Sequence, residues 1–163
     1  TYAMFNLSEP LTETLTMLRM SGELNDRVSV RGNYTGAEYP YFGSAGQFKQ
    51  VFWNLIGNAL KAMPEGGTLS IDFSLPRKGS LGVRIVDTGR GMTPAELGRM
   101  FEPFYTRFDG GRGLGMAVVR QILEGYGGKI EVKSEIQVGT DVQITLPYRN
   151  MPTAGEGPEA VQP

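Results

Sequence analysis

The sequence of 163 residues contains no cysteine and no histidine. Without cysteine there are no disulfides, thiolate-bound zinc or cysteine nucleophiles, which fits a reducing compartment. Without histidine the commonest general base and metal ligand are missing, so a Ser-His-Asp arrangement is excluded. The sequence contains no run of about 18 apolar residues, which is the length that a membrane-spanning helix needs. Thr1 does not open a signal peptide.

The chain also lacks an excess of either charge. Lysine and arginine number 16, aspartate and glutamate 17, and the formal net charge is −1. Proteins that bind nucleic acids or membrane surfaces in general carry a basic excess, so we expect neither partner. The length corresponds to one domain with one core. Glycine is abundant, with 23 residues, about twice its usual share.

Apolar spacing predicts three helices. The first covers residues 8–20, with Ser8 as its N-cap. The second, over 44–63, has the clearest repeat of apolar residues every three or four positions. The third begins near Leu114 and ends at the glycine pair that starts with Gly127.

Alternating apolar residues predict the strands. A short strand contains Val28 and Val30, and residues from there through Gly43 are interpreted as a loop. Four longer strands form two hairpins and contain Leu69/Ile71/Phe73/Leu75, Leu81/Val83/Ile85, Ile130/Val132/Ile136 and Val142/Ile144/Leu146.

Strands that are apolar only at alternate positions bury one face, so the helices must cover one side of the sheet. The predicted fold class is a two-layer α/β sandwich with a mixed, mostly antiparallel sheet and helices on one face. Residues 1–150 form this domain. Residues 151–163 are mostly proline, glycine, alanine and glutamate, and they are predicted to be a disordered tail.

The second helix carries an unusual polar face. Asn54, Asn58 and Lys61 are spaced four and three residues apart, so they form one strip, and no acidic residue accompanies them. A solvated face is the ordinary interpretation, but such faces usually pair acidic with basic residues. Amide oxygens suit Mg²⁺, while amide N–H groups and an ammonium suit phosphate, so the strip favours a magnesium and phosphate surface.

Three glycine-rich segments follow the polar strip. Asp87-x-Gly89-x-Gly91 lies at a strand end, and alone it is also typical of a plain turn. Gly111-x-Gly113-x-Gly115 opens a helix, where free backbone N–H groups favour phosphate. Neither the Walker A spacing nor the dinucleotide-binding spacing fits this second segment. Gly139-Thr140 lies in a hairpin.

Taken in order, and together with the motif Phe101-Glu102-Pro103-Phe104, these segments resemble the catalytic, ATP-binding domain of sensor histidine kinases. That domain belongs to the GHKL superfamily, shared with gyrase, the heat-shock chaperone ATPase and the MutL-type ATPases, and the resemblance implies a Bergerat-type ATP-binding fold. The resemblance covers roughly residues 5–148. The segment 59–68 looks most like the nitrogen-regulation branch of these kinases. The short distance between the motif 101–104 and the motif 111–115 is also similar to that branch. The motifs are Asn54-x-x-x-Asn58-Ala59-x-Lys61, Asp87-x-Gly89-x-Gly91, Phe101-Glu102-Pro103-Phe104, Gly111-x-Gly113-x-Gly115 and Gly139-Thr140.

The resemblance implies a role for each matching residue. Asn58 would hold Mg²⁺, and Asn54 and Lys61 would meet the phosphates of ATP. Asp87 would accept the adenine amino group with Thr140 nearby. Residues 101–112 would form a mobile lid, anchored by Phe101, Phe104 and Tyr105. The remaining cofactor-binding residues are Gly89, Gly91, Met92, Arg107, Arg112, Gly113, Leu114 and Gly115.

The residue at position 54 bears on which reaction the domain catalyses. Relatives that hydrolyse ATP or phosphorylate serine usually place glutamate there, whereas Asn54 cannot accept a proton at neutral pH. A histidine acceptor is itself a nucleophile, so asparagine fits transfer to histidine. A serine-directed kinase of the anti-sigma-factor type and a non-catalytic, nucleotide-responsive docking module remain as alternatives.

The resemblance also implies partners. Because the chain has no histidine, the phosphoacceptor must lie in a dimerisation domain outside it, and a response regulator would follow downstream. We expect an excised catalytic domain, monomeric by itself and cytoplasmic, with the anchoring of the parent protein left open.

Overall fold

The computed structural model describes residues 1–106 and 115–149. Its helices are α1 (Ser8–Met20), α2 (Ala45–Lys61), α3 (Pro94–Arg99) and α4 (Gly115–Gly125). Its strands are β1 (Ala3–Asn6), β2 (Val28–Arg31), β3 (Pro40–Gly43), β4 (Gly67–Arg77), β5 (Ser80–Asp87), β6 (Lys129–Glu135) and β7 (Gly139–Pro147). Within these described residues, no helix has the length and apolarity that crossing a membrane requires.

Five strands form the main sheet, in the order β2-β4-β5-β7-β6. β2 pairs with β4 in parallel, and the other neighbours are antiparallel, which confirms the mostly antiparallel sheet. β1 and β3 form a separate antiparallel pair in which Ala3 faces Gly43 and Asn6 faces Pro40. The sequence analysis missed this pair, since it interpreted β3 as part of a loop.

The helices pack on one face of the main sheet, as predicted. The buried strand residues of that face alternate along the chain and are Leu69, Ile71, Phe73, Leu81, Val83, Ile85, Val142, Ile144 and Leu146. The buried stripe of α2 includes Phe48, Phe52 and Ile56. On the other face, Arg84 and Asp141 form a 2.7 Å ion pair, which lowers the pKa of the Asp141 carboxyl through the hydrogen bond from Arg84.

The start of α2 is fixed by two hydroxyl groups. The Ser44 side chain accepts a hydrogen bond from the Gln47 N–H at 3.2 Å, so Ser44 is the N-cap of α2. The Ser44 N–H donates to the Tyr126 hydroxyl at 2.8 Å, and that hydroxyl donates to Gln47 Oε1 at 2.6 Å. Because Tyr126 follows directly after α4, these bonds connect the end of α4 to the beginning of α2.

Two local predictions were wrong, and a third apolar residue lies in its predicted strand without being buried. Ser8 is not the N-cap of α1, because Leu7 occupies that position and the Ser8 hydroxyl donates to the Ala37 carbonyl oxygen at 2.8 Å. Ile136 lies beyond the end of β6 and is 44% exposed. Leu75 belongs to β4 but is 52% exposed, near the register shift between Ser74 and Arg77. Both apolar side chains therefore lie outside the core.

Candidate functional site

A row of side chains crosses the sheet at one end of β5. Asp87 is paired with Leu69 on β4 and with Thr140 on β7, and Thr140 is paired with Ser134 on β6. Asp87 and Thr140 are each only 6% exposed, and they continue the buried faces of their strands. Since burying a carboxylate is costly without hydrogen bonds, this position points to a function rather than to packing. The Gly89 N–H donates to Asp87 Oδ1 at 2.8 Å.

Glycines allow the segments around Asp87 to approach each other closely. A Cβ at Gly139 would overlap the carbonyl oxygen of Asp87, and a Cβ at Gly91 would overlap that of Glu135. At Gly89 a Cβ would lie 2.6 Å from the carbonyl oxygen of Ala62, just after α2. The loop after β5 is therefore packed backbone against backbone between α2 and the β6–β7 turn.

Two hydroxyl groups connect this loop to the row. Ser134 Oγ accepts from the Met92 N–H at 2.8 Å and donates to the Gly139 carbonyl oxygen at 3.1 Å. It also lies 2.8 Å from Thr140 Oγ1. The sequence analysis missed Ser134, although it occupies an inward position of β6 after Ile130 and Val132. A hydroxyl at the third inward position of a strand whose other inward residues are apolar was the available signal.

The polar strip of α2, which consists of Asn54, Asn58 and Lys61, lies beside the same loop. Asn54 and Asn58 are half-buried and Lys61 is exposed. None of the ion pairs within the described residues includes Lys61. Immediately after the helix, the Ala62 carbonyl accepts from the Arg90 N–H at 3.0 Å. The C-terminal end of the strip is thus connected to the glycine loop that follows Asp87.

The first residue of α4 packs against the other end of the strip. Asn54 Nδ2 donates to the Gln50 carbonyl oxygen at 2.9 Å, while Oδ1 would lie 2.5 Å from a Cβ at Gly115. A Cβ at this position would require the Asn54 amide to move, so glycine lets the helix begin close to the amide as it stands. The structure therefore brings Gly115 next to Asn54, two residues that the sequence assigned to one site.

The segment before α4 is described only in part. Phe101 is half-buried against the core, with the Arg120 guanidinium 4.9 Å from its ring centre. Phe104 is 78% exposed and has a φ of 69°, so the anchoring role predicted for it was wrong. The predicted ligand residues Arg107, Arg112, Gly113 and Leu114 lie outside the described residues.

The chemistry of the strip fits a magnesium ion that is held mainly by its substrate. Residues 1–106 and 115–149 contain no group of three or more acidic side chains that could hold a metal. Mg²⁺ keeps several waters and is commonly bound through one or two protein oxygens together with substrate phosphates. The half-buried amide oxygen of Asn58 is such a hard ligand.

The glycine at position 91 gives a direct test of the close packing. Gly91→Ala is expected to lower the free energy of unfolding by about 3 kcal/mol, because the methyl group meets the Glu135 backbone and the φ of 68° is left-handed. Gly22 has a φ of 84° with nothing within 4 Å of its Cβ position, so Gly22→Ala is expected to cost about 1 kcal/mol. Urea unfolding measures both; equal losses would contradict the close approach.

Comparison with known proteins agrees with this geometry. Residues 43–150 match the family described as histidine kinase-, DNA gyrase B- and HSP90-like ATPases. Sporulation kinase A of Bacillus subtilis (strain 168) is 36% identical over 144 residues, covering 88% of this chain and 23% of the relative. Sporulation kinase D of the same organism is 42% identical over 99 residues, covering 61% of this chain and 19% of the relative.

The fold comparison gives the same result. The structure of a mycobacterial sensor histidine kinase, MprB, superimposes with a TM-score of 0.76 at 25% identity, covering 93% of this chain and all of that one. The chain spans about a fifth of the length of the two curated relatives. It belongs to the family of histidine kinase-, DNA gyrase B- and HSP90-like ATPases, and within that family it is a catalytic, ATP-binding domain of the sensor histidine kinase type.

Proposed function

We propose that this domain binds Mg-ATP between the Asp87 row and the polar strip, and transfers the γ-phosphoryl group to a histidine on a dimerisation domain outside this chain. The observation that carries the proposal is the 6% exposure of the Asp87 carboxylate, on the face that otherwise buries apolar side chains. A carboxylate has about four lone-pair sites. Asp87 can therefore accept from the exocyclic amino group of adenine in addition to the Gly89 N–H.

In this proposal the base lies among the residues after β5. Asp87 accepts from the adenine amino group, with Thr140 beside it on the neighbouring strand. Gly89 and Gly91 keep the loop close to the sheet, so that Met92, 2% exposed, closes the base from one side. The selectivity for adenine comes from the Asp87 carboxylate, because hydrogen bonds to a charged acceptor are about twice as strong as neutral ones.

The phosphates lie along the polar strip. Asn58 holds Mg²⁺ through its amide oxygen, while Asn54 and Lys61 contact phosphate oxygens with N–H and ammonium donors. Arg107, Arg112, Gly113, Leu114 and Gly115 are the further phosphate-binding residues of the proposal, and the first four lie outside the described residues. When bound, Mg²⁺ neutralises charge on the triphosphate. The adjacent end of α4 supports this arrangement, since Gly115 lies against Asn54.

The transfer forms a P–N bond between the γ-phosphorus and an imidazole nitrogen. The bond to the β-γ bridging oxygen breaks, ADP leaves, and the imidazole proton is released to solvent. Asn54 supplies no base, so the residues of this chain bind and orient the triphosphate rather than deprotonate an acceptor. Water and serine hydroxyls need such a base, which disfavours both as acceptors.

We also propose the boundaries of this domain, its oligomeric state, its location, its downstream partner and its branch of the family. Residues 1–150 act as one catalytic domain, and residues 151–163, for which the sequence predicts a disordered tail, lie outside the described residues. The domain is a cytoplasmic monomer by itself and serves a downstream response regulator. Within the family it belongs to a branch like that of the nitrogen-regulation kinases, an assignment supported by the sequence of residues 59–68.

A reconstitution tests the proposal. The chain is mixed with a dimeric, histidine-containing acceptor fragment, Mg²⁺ and ATP radiolabelled on its γ-phosphate. Label on the fragment that is acid-labile, and absent when the acceptor histidine is replaced by alanine, is the expected result. Acid-stable label would indicate a serine-directed kinase. Binding of ATP without any transfer to several such fragments would indicate a nucleotide-responsive docking module.

A further inference from the structure

Ser134 lies at the junction of three segments. Its hydroxyl is within 3.1 Å of the Met92 N–H, the Gly139 carbonyl oxygen and the Thr140 hydroxyl. Met92 belongs to the loop after β5, while Gly139 and Thr140 begin β7.

The protons of this cluster can be counted. A serine hydroxyl has one proton and two lone pairs. The Gly139 carbonyl accepts only, so that contact uses the Ser134 proton, and the Met92 N–H occupies one Ser134 lone pair. The third contact then requires that Thr140 donates its proton to the second lone pair of Ser134. All three contacts are satisfied at once only when Thr140 is the donor. The Thr140 oxygen then keeps both of its own lone pairs for other partners.

We propose that Ser134 is a positioning residue that turns the Thr140 hydroxyl into a hydrogen-bond acceptor beside Asp87, so that the site selects a 6-aminopurine over a 6-oxopurine. This inference rests on the proposed function, in which the base lies at Asp87. The amino group of adenine offers two N–H donors, one for Asp87 and one for Thr140, directly or through one water. A 6-oxopurine presents an oxygen there, which faces two acceptors and donates to neither.

The test compares two variants of equal shape. Ser134→Thr keeps the hydroxyl, whereas Ser134→Val replaces it with a methyl group, and both residues favour strands. For each, the dissociation constants of Mg-ATP and of inosine triphosphate are measured by calorimetry on the whole chain. Inosine triphosphate carries an oxygen in place of the 6-amino group.

The ratio of the two dissociation constants is the readout. We expect the valine variant to lose about fivefold in preference for ATP relative to the threonine variant, the effect of one neutral hydrogen bond. Ser134→Ala, which is smaller than the native residue, is expected to show the same loss. Ser70→Ala makes the same chemical change on the other face of the sheet and is expected to leave the ratio unchanged.

The outcomes separate this inference from the proposed function. If wild type binds no ATP, or if Asp87→Asn leaves its preference for ATP intact, the proposed function fails and this inference fails with it. If wild type prefers ATP through Asp87 but the valine and alanine variants keep the full preference, only the Ser134 inference is overturned. An equal loss of affinity for both nucleotides would assign Ser134 a purely structural role and would also overturn it.

Discussion

Asp87→Asn is expected to weaken ATP binding by about 100-fold, or about 2.7 kcal/mol. The substitution keeps an oxygen that can accept from the Gly89 N–H, so the loop after β5 should retain its shape. It removes the charge and places an N–H donor where the adenine amino group also donates. The expected loss of ATP affinity therefore comes from the changed charge and hydrogen bonding, and not from a change in the conformation of the loop. Calorimetry with Mg-ATP measures it.

The matched control is Asp26→Asn. Asp26 is exposed and lies between α1 and β2, so the same change of charge there is expected to leave ATP affinity unchanged. The two variants together separate the effect of net charge from the effect of position. ATP affinity equal to wild type in Asp87→Asn, with the variant folded, would exclude Asp87 as the base-recognition residue.

Asn58→Ala is expected to lower the rate of phosphoryl transfer to the acceptor fragment by about 100-fold or more, because it removes the protein oxygen that holds the metal beside the triphosphate. Alanine is a better helix former than asparagine, so α2 should not lose stability. Asn58→Asp also offers a hard oxygen ligand and is expected to recover part of the rate.

The control for this prediction is Gln121→Ala on α4, which removes another exposed amide and should transfer at the wild-type rate. Omitting Mg²⁺ should bring wild type close to the rate of Asn58→Ala, while the variant itself should respond little to the metal. A variant that retains the wild-type rate and the wild-type dependence on Mg²⁺ would remove Asn58 from the metal site.

Local patterns predicted most of the fold. α2 and the four long strands follow from apolar periods that are visible within a single segment. β1 and β3 are four residues each, and their pairing joins Ala3 to Gly43 across the chain, so no local pattern reveals it. α3 has no buried residue and thus no apolar stripe, but its Thr93–Glu96 capping box and its proline at the first turn are visible in the sequence.

Part of the candidate site could likewise be predicted from the sequence. The polar strip was predicted because its residue types depart from those of a solvated helix face, and Asp87 was predicted from the ordered motifs that resemble the kinase domain. Ser134 was missed because its meaning depends on its neighbours, Thr140 and Met92, which the sheet register brings to it. The contact between Asn54 and Gly115 likewise requires two helices to be packed before it can be recognised.

A structure of the chain with a non-hydrolysable Mg-ATP analogue tests the central claim most directly. The account predicts the adenine amino group within hydrogen-bonding distance of the Asp87 carboxylate, and the metal between Asn58 and the phosphates. A nucleotide bound elsewhere, with the polar strip of α2 still open to water, would contradict it.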